Sequence, residues 1–253
     1  MGLWLPAAGD IRRPVRRAKA LLPALAFALL ALPNCSYRFG APEPSSEQGD
    51  RVLELWRLFV GASIVVGALV IGLIGFAVAR YRERKPGEPG RFDNHVGLEI
   101  AYTAIPVLLV AGLFLATFGV ERDVDSTSAA PSLTVDVTGF DWSWRFAYEG
   151  SDVTIEGLPD RPPTLVLPRG RVVRIVLRSA DVDHSLYVPD LLFKRDAIPG
   201  RTGVFQIVPD RIGTFHGRCA EFCGLDHARM TFDVRVVSGS EFDAWLAEQG
   251  TGG

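Results

Sequence analysis

The sequence predicts a two-helix transmembrane hairpin followed by an all-β sandwich. Two uncharged apolar runs, Leu58–Ala79 and Ile100–Val120, are each long enough to cross a bilayer core, which takes about 20 residues. Beyond residue 126 the pattern changes to short segments in which apolar and polar residues alternate, divided by Gly and Pro, as strands of a sandwich do. Charge divides at the same place. Residues 1–120 carry 13 Lys and Arg against 9 Asp and Glu, whereas residues 121–253 carry 14 against 20.

The N-terminal elements follow from charge and length. Arg12, Arg13, Arg16, Arg17 and Lys19 precede a short apolar run from Ala20 to Pro33, the pattern of a signal peptide over residues 1–35. Cys35 follows directly. Leu32 suits a lipoprotein-type cleavage site and Asn34 does not, so lipidation of Cys35, ordinary cleavage before Ser45 and an uncleaved anchor stay open. Residues 36–122 form the hairpin, with spans at about 55–80 and 98–120. Between them lie Arg80, Arg82, Arg84, Lys85 and Arg91, which place this loop in the cytoplasm by the positive-inside rule. Residues 123–253 then lie outside a bacterial-type plasma membrane. Pro86, Gly87, Pro89 and Gly90 make the inner loop a turn. Pro106 falls inside the second span, where a packed bundle tolerates it. Gly61, Gly67, Gly72 and Gly75 let another helix approach the first span closely. The acidic outer half suits a cationic protein partner, or serves solubility alone. No nucleic-acid partner is expected.

In the outer half the strand candidates are Leu133–Val137, Trp142–Phe146, Thr164–Leu167, Arg171–Leu177, Ser185–Val188, Gly203–Ile207, Gly213–His216 and Met230–Val237. A terminal helix over Glu241–Gln249 places Phe242, Trp245 and Leu246 on one face. Between the last two strand candidates stands Cys219-Ala220-Glu221-Phe222-Cys223-Gly224-Leu225-Asp226-His227-Ala228-Arg229-Met230. Two thiols, an imidazole and a thioether share this loop, and His184 ends an earlier inter-strand segment. Soft sulfur plus imidazole suits copper, and zinc has little use for a thioether. One blue copper ion takes a single cysteine, so two thiolates with two imidazoles are enough for a copper pair. A Cys219–Cys223 disulfide is the alternative in an oxidising compartment, but it would need neither histidine nor Met230.

The string Cys-x-Glu-x-Cys-x3-His-x2-Met, the upstream His184-Ser185-Leu186-Tyr187-Val188-Pro189, the stretch Lys194–Arg201 and the aromatic run Trp142-Ser143-Trp144 resemble subunit II of haem-copper cytochrome c oxidase. The resemblance spans roughly residues 50–248. It implies a cupredoxin-like sandwich holding the dinuclear copper centre CuA. In that family Cys219 and Cys223 would bridge both coppers, and His184 and His227 would each take one. Met230 would complete one ion and the carbonyl of Glu221 the other. The Glu221 carboxylate would serve a magnesium or manganese ion at the interface with subunit I. Trp142 matches the tryptophan through which electrons enter from a c-type cytochrome, although Ser143 stands where the family usually has tyrosine. Trp142 and Trp144 point the same way if both lie on a strand, which would make at least one a core residue. Asp141, Glu149, Asp181 and Asp183 are candidate docking charges.

The segment Glu99-x3-Thr103-x2-Pro106 resembles the one whose glutamate opens a proton pathway into subunit I, so Glu99 is a candidate pathway entrance. Its plainer role is an acid favouring a helix N-terminus. His216 is expected to be a structural or surface histidine, because the family has an aromatic residue there, and His95 to cap a helix or face solvent. The resemblance thus implies a subunit that takes electrons from a c-type cytochrome and passes them to haem in subunit I, where dioxygen becomes water and protons are pumped. Its partners would be subunit I and the other oxidase subunits. The rivals are a quinol-oxidase relative, which lacks the copper ligands, a tethered copper carrier with a single-copper site, and a disulfide-bonded structural domain.

Overall fold

The structure, a computed structural model, describes residues 38–82, 94–127 and 130–250. The signal peptide, Cys35 and the inner-loop turn at Pro86–Gly90 lie outside the described residues. Helix α1 spans Glu47–Tyr81 and helix α2 spans Val96–Asp125. Both are longer than the apolar runs, because caps rather than hydropathy set helix ends. The Ser46 side chain accepts from the Gly49 N–H at 3.1 Å, and Glu47 and Asp50 in the first turn favour the helix dipole. His95 caps α2, its Nδ1 accepting from the Leu98 N–H at 3.2 Å. At the other end α2 continues through Glu121, Arg122 and Asp123, where the Ser126 hydroxyl donates to the Asp123 carbonyl at 2.7 Å. Pro106 sits inside α2 without ending it.

Both helices expose apolar side chains around their circumference, and each is long and apolar enough to cross a membrane. Side chains built on Gly61, Gly67, Gly72 or Gly75 would meet nothing within 4 Å, so these close-approach positions are left open by this chain's own second helix. The hairpin is pinned to the sandwich at both outer ends. Ser45 donates twice to the Asp190 carbonyl, from its N–H and its hydroxyl, each at 2.8 Å. Arg211 pairs with Glu43 at 3.1 Å and with Asp190 at 3.4 Å. Arg195 pairs with Asp125 at the end of α2.

The outer unit is the expected sandwich of two sheets. One has the order β3-β2-β1-β5-β8, from Thr154–Glu156, Ser143–Tyr148, Leu133–Phe140, Val173–Ser179 and Gly203–Ile207. The other is β4-β10-β9-β6-β7, from Thr164–Pro168, Thr231–Val237, Gly213–Cys219, His184–Val188 and Phe193–Ala197. Parallel pairings β1/β5 and β4/β10 join elements far apart in sequence. Alternation in β1 buries Leu133, Val135 and Val137, and the facing sheet supplies Phe215, Phe232, Val234 and Val236.

Two strands, β3 and β7, fall outside the strand candidates. Strand β3 is only three residues long, and in β7 Arg195 takes the inward position between Phe193 and Ala197. Trp144 is wholly buried, packed edge-on against Phe232. Trp142 is not on a strand at all, because β2 begins at Ser143 and Asp141–Trp142 form the two-residue turn from β1. The terminal helix α3, Gly239–Gly250, lays Phe242 and Trp245 on Tyr148. The Tyr148 hydroxyl accepts from the Val166 N–H at 2.8 Å and donates to the Val166 carbonyl at 3.1 Å, satisfying an edge strand that would otherwise carry bare backbone groups.

Candidate metal centre

Sheet register brings the sulfur loop to His184. Strand β9 ends on Cys219, and Leu186 of β6 lies opposite it. The Ala220 N–H donates to the Ser185 carbonyl at 3.0 Å. The Cys219 N–H donates to the Met230 carbonyl at 2.8 Å, closing residues 220–229 into a loop at one pole of the sandwich. A 3-10 turn at His227–Arg229 folds His227 and Met230 back under it.

Five side chains and one carbonyl converge there. The sulfurs of Cys219 and Cys223 stand 3.8 Å apart, and both cysteines are free. A disulfide holds its sulfurs at about 2.05 Å, so the pair is not bonded. His184 Nδ1 lies 3.9 Å from the Cys219 sulfur, and His227 Nδ1 lies 3.5 Å from that of Cys223. The Met230 sulfur is 3.7 Å from Cys223, and the Glu221 carbonyl oxygen is 3.2 Å from Cys219. His184, Cys219, Cys223 and Met230 are buried. Gly139 of β1 lies against the His184 ring, where a side-chain carbon would come within 3.0 Å of the imidazole. Trp144 meets the ring edge-on at 6.1 Å.

The electrostatics fit a bound cation. Burial pushes the Cys219 thiol up, but His184 and backbone groups of Glu221 and Ser185 outweigh it and hold the thiol below its ordinary range. For Cys223, burial and the charge of Cys219 act together to push the thiol up. One thiolate therefore forms readily, and the second is opposed by the first. A soft metal between them removes that opposition and is what two thiolates, two imidazoles and a thioether are chemically suited to hold.

Other candidates fall in different places. Trp142 is half-buried, and its indole Nε1–H donates to the Cys223 carbonyl at 3.0 Å. Gly224, at φ +118°, permits this, since a side-chain carbon there would stand 3.1 Å from the indole nitrogen. The Glu221 carboxylate is half exposed, with Lys194 Nζ at 3.9 Å. Glu99 is exposed in the first turn of α2, about 40 Å of helix from Asp125 at about 1.5 Å per residue. His216 is a surface residue, with its side chain 88% exposed and its Nδ1 2.7 Å from Asp233. Glu149 follows the far end of β2 from Trp142, about 20 Å along the strand. Sequence reasoning read Asp181 only as a surface charge, yet its Oδ1 lies 2.7 Å from His184 Nε2. In a loop, a spacing of three residues carries no facial information that would have shown this.

Comparison with known proteins assigns the family. Residues 157–237 match the family described as cytochrome C oxidase subunit II, periplasmic domain. A probable cytochrome c oxidase subunit 2 of Streptomyces coelicolor is 36% identical over 281 residues, covering 94% of this chain and 88% of the relative. The chain belongs to the cytochrome c oxidase subunit 2 family. The subunit 2 of Mycobacterium tuberculosis is 30% identical over 294 residues, covering 91% of this chain and 80% of that one. Among solved structures, the periplasmic domain of subunit II of cytochrome oxidase from Bradyrhizobium japonicum is 32% identical, with a TM-score of 0.45, covering 49% of this chain and 98% of that domain. Membership makes this chain a subunit of a haem-copper oxidase complex, a membrane protein whose sandwich is of the periplasmic-domain kind. The matched residues 157–237 include His184 and the whole sulfur loop, and leave out Trp142 and Glu99.

Proposed function

We propose that this chain is the CuA subunit through which electrons enter a proton-pumping cytochrome c oxidase. The carrying observation is the convergence of five buried or half-buried soft donors, with unbonded sulfurs and an imidazole Nδ1 beside each. Cys219 and Cys223 would bridge two coppers. His184 and His227 would each hold one, with Met230 and the Glu221 carbonyl completing the set. When bound, the copper pair would supply a one-electron relay whose charge is shared between two metals. The sandwich buries His184, Cys219, Cys223 and Met230, and donors held in place keep rearrangement on electron transfer small.

Trp142 is the receiving surface for a c-type cytochrome, its indole already bonded to the backbone of a ligand residue. Exposed Asp141 and Asp183 lend that pole negative charge for a cationic partner. Electrons pass on to haem in subunit I, where dioxygen is reduced to water. The half-exposed Glu221 carboxylate suits a magnesium or manganese ion shared with subunit I. Glu99 marks the entrance of a proton pathway from the cytoplasmic side. Residues 36–122 cross a bacterial-type plasma membrane twice, the open glycine positions of α1 receive other oxidase subunits, and residues 123–253 lie outside, exported behind the signal peptide at 1–35.

Metal analysis and electron paramagnetic resonance of the full chain in detergent test this reading. Two coppers per chain sharing one unpaired electron are expected, and Cys219→Ser or Cys223→Ser should abolish the shared-electron hyperfine pattern. Retention of that pattern in either variant would sink the bridging assignment, and a single copper per chain would favour a copper carrier.

A further inference from the structure

Asp181 stands outside the donor set, yet three hydrogen bonds beside the site converge on its carboxylate. Its Oδ1 lies 2.7 Å from His184 Nε2 and accepts from the Val182 N–H at 2.7 Å. Its Oδ2 accepts from the Asp141 N–H, also at 2.7 Å. Asp141 and Trp142 make the β1–β2 turn, and the Trp142 indole donates to the Cys223 carbonyl at 3.0 Å. The sulfurs of Cys223 and Cys219 then lead back to His184 Nδ1. These contacts form a closed ring through the β1–β2 turn, the β5–β6 loop and the sulfur loop.

The loop bearing Asp181 is itself braced. The Asp181 N–H donates to the Ser179 hydroxyl at 3.2 Å, that hydroxyl donates to the Val182 carbonyl, and the Ala180 N–H donates to the Gly139 carbonyl at 3.0 Å. The carboxylate is therefore held in place, with both oxygens engaged. A merely exposed docking charge needs none of this.

We infer that Asp181 is a positioning residue: it fixes His184 as the Nε2–H tautomer with the Nδ1 lone pair facing the sulfurs, and ties that imidazole to the turn that presents Trp142. An imidazole donates from only one nitrogen when neutral, so a carboxylate on Nε2 selects which nitrogen is left for a metal. The same carboxylate couples the orientation of the metal ligand to that of the indole. Asn cannot replace it, since an amide offers one acceptor where two donors, His184 Nε2–H and Asp141 N–H, approach opposite oxygens.

The metal half of this inference rests on the copper reading above, and the tautomer half does not. The experiment uses the full chain in detergent, unaltered and as Asp181→Asn, with Asp183→Asn as a control for loss of one negative charge from the same loop. Nitrogen-15 imidazole spectra of the metal-free protein, taken at alkaline pH where the imidazole is neutral and carries a single ring proton, report the tautomer. Competition with a chelator reports copper affinity, and paramagnetic resonance reports the hyperfine pattern. The unaltered chain should hold His184 as the Nε2–H form. Asp181→Asn should lose that preference, bind copper about 10–100-fold more weakly and change the hyperfine pattern, while Asp183→Asn changes none of the three.

An Nδ1–H tautomer in the unaltered chain overturns the inference, and so does an equal loss of affinity in the two variants, which would make the effect one of charge. A chain that keeps the Nε2–H tautomer through Asp181 but takes up no copper supports the positioning role and refutes the copper reading. Should Asp181→Asn fail to fold, the tautomer of the unaltered chain still decides, and Asp181→Glu, which retains two acceptors, carries the affinity measurement.

Discussion

Gly224→Ala tests how the indole is joined to the sulfur loop. The residue has φ +118°, and a side-chain carbon would stand 3.1 Å from Trp142 Nε1. Holding alanine in that backbone region costs about 1–3 kcal/mol. The methyl also pushes the indole off the Cys223 carbonyl, forfeiting a hydrogen bond worth about 0.5–1.5 kcal/mol. The combined loss is about 1.5–4.5 kcal/mol. For a sandwich of this size, between the small- and medium-domain cases, each kcal/mol lowers Tm by roughly 3–5 °C, so a fall of roughly 5–20 °C is expected.

The mechanism separates from plain destabilisation in a double-mutant cycle with Trp142→Phe. That change removes both the clash and the bond, so Gly224→Ala then costs only its backbone strain. The coupling should be about 0.5–1.5 kcal/mol, above the roughly 0.3–0.5 kcal/mol scatter of independent sites. Thermal unfolding of the four full-length chains followed by circular dichroism measures it. Strictly additive losses would show that Gly224 and Trp142 do not constrain each other, and the proposed path from indole to sulfur loop would lose its support.

Three further outcomes are expected. Trp142→Phe should slow reduction by a c-type cytochrome in the assembled oxidase and leave the copper spectrum in place, and cytochrome binding should weaken as salt screens exposed charges over about 10 Å at 0.1 M; salt-independent binding would remove the acidic pole from docking. Tyr148→Phe should cost about 1–3 kcal/mol at neutral pH by stranding the Val166 backbone. Burial raises the Tyr148 phenol above its usual 10.0, more than the Val166 hydrogen bond and Arg235 lower it, so the folded chain keeps a proton that the unfolded chain releases. Its contribution is therefore fully present below about pH 10 and is lost as pH rises beyond it. The difference in urea midpoint between parent and variant should shrink between pH 8 and pH 11, and a constant difference contradicts the argument. Glu99→Ala should slow oxygen consumption by the complex with unchanged copper content and cytochrome affinity; normal turnover would leave Glu99 only its helix-terminus role.

Much of this architecture is legible from local patterns. Period-two alternation marked Leu133–Val137 and Met230–Val237 as strands because a half-buried sheet repeats every two residues, and uncharged runs marked the hairpin because lipid accepts little else. The donors of the sulfur loop could be read directly, since ligand chemistry belongs to residue type and their spacing keeps them in one loop. Helix ends were less legible. Ser46 and His95 extend the helices by capping, a hydrogen-bond property that hydropathy does not record. Strand β7 offers no clean alternation, because Arg195 takes the inward position between Phe193 and Ala197.

The sequence by itself determined that soft donors gather in one loop of a sandwich that follows two long apolar helices. Only the tertiary structure decided that the two sulfurs stay apart, that Trp142 occupies a turn while Trp144 is core, and that Glu149 lies away from the sulfur loop. Only it made Asp181 a partner of His184 and of the Trp142 turn. The reason is the parallel pairing of β1 with β5 and the antiparallel pairing of β6 with β9. These bring the β1–β2 turn, the β5–β6 loop and the sulfur loop to one end of the molecule. Hydrogen bonds among those loops depend on sheet register across forty or eighty residues, a distance over which no local pattern reaches.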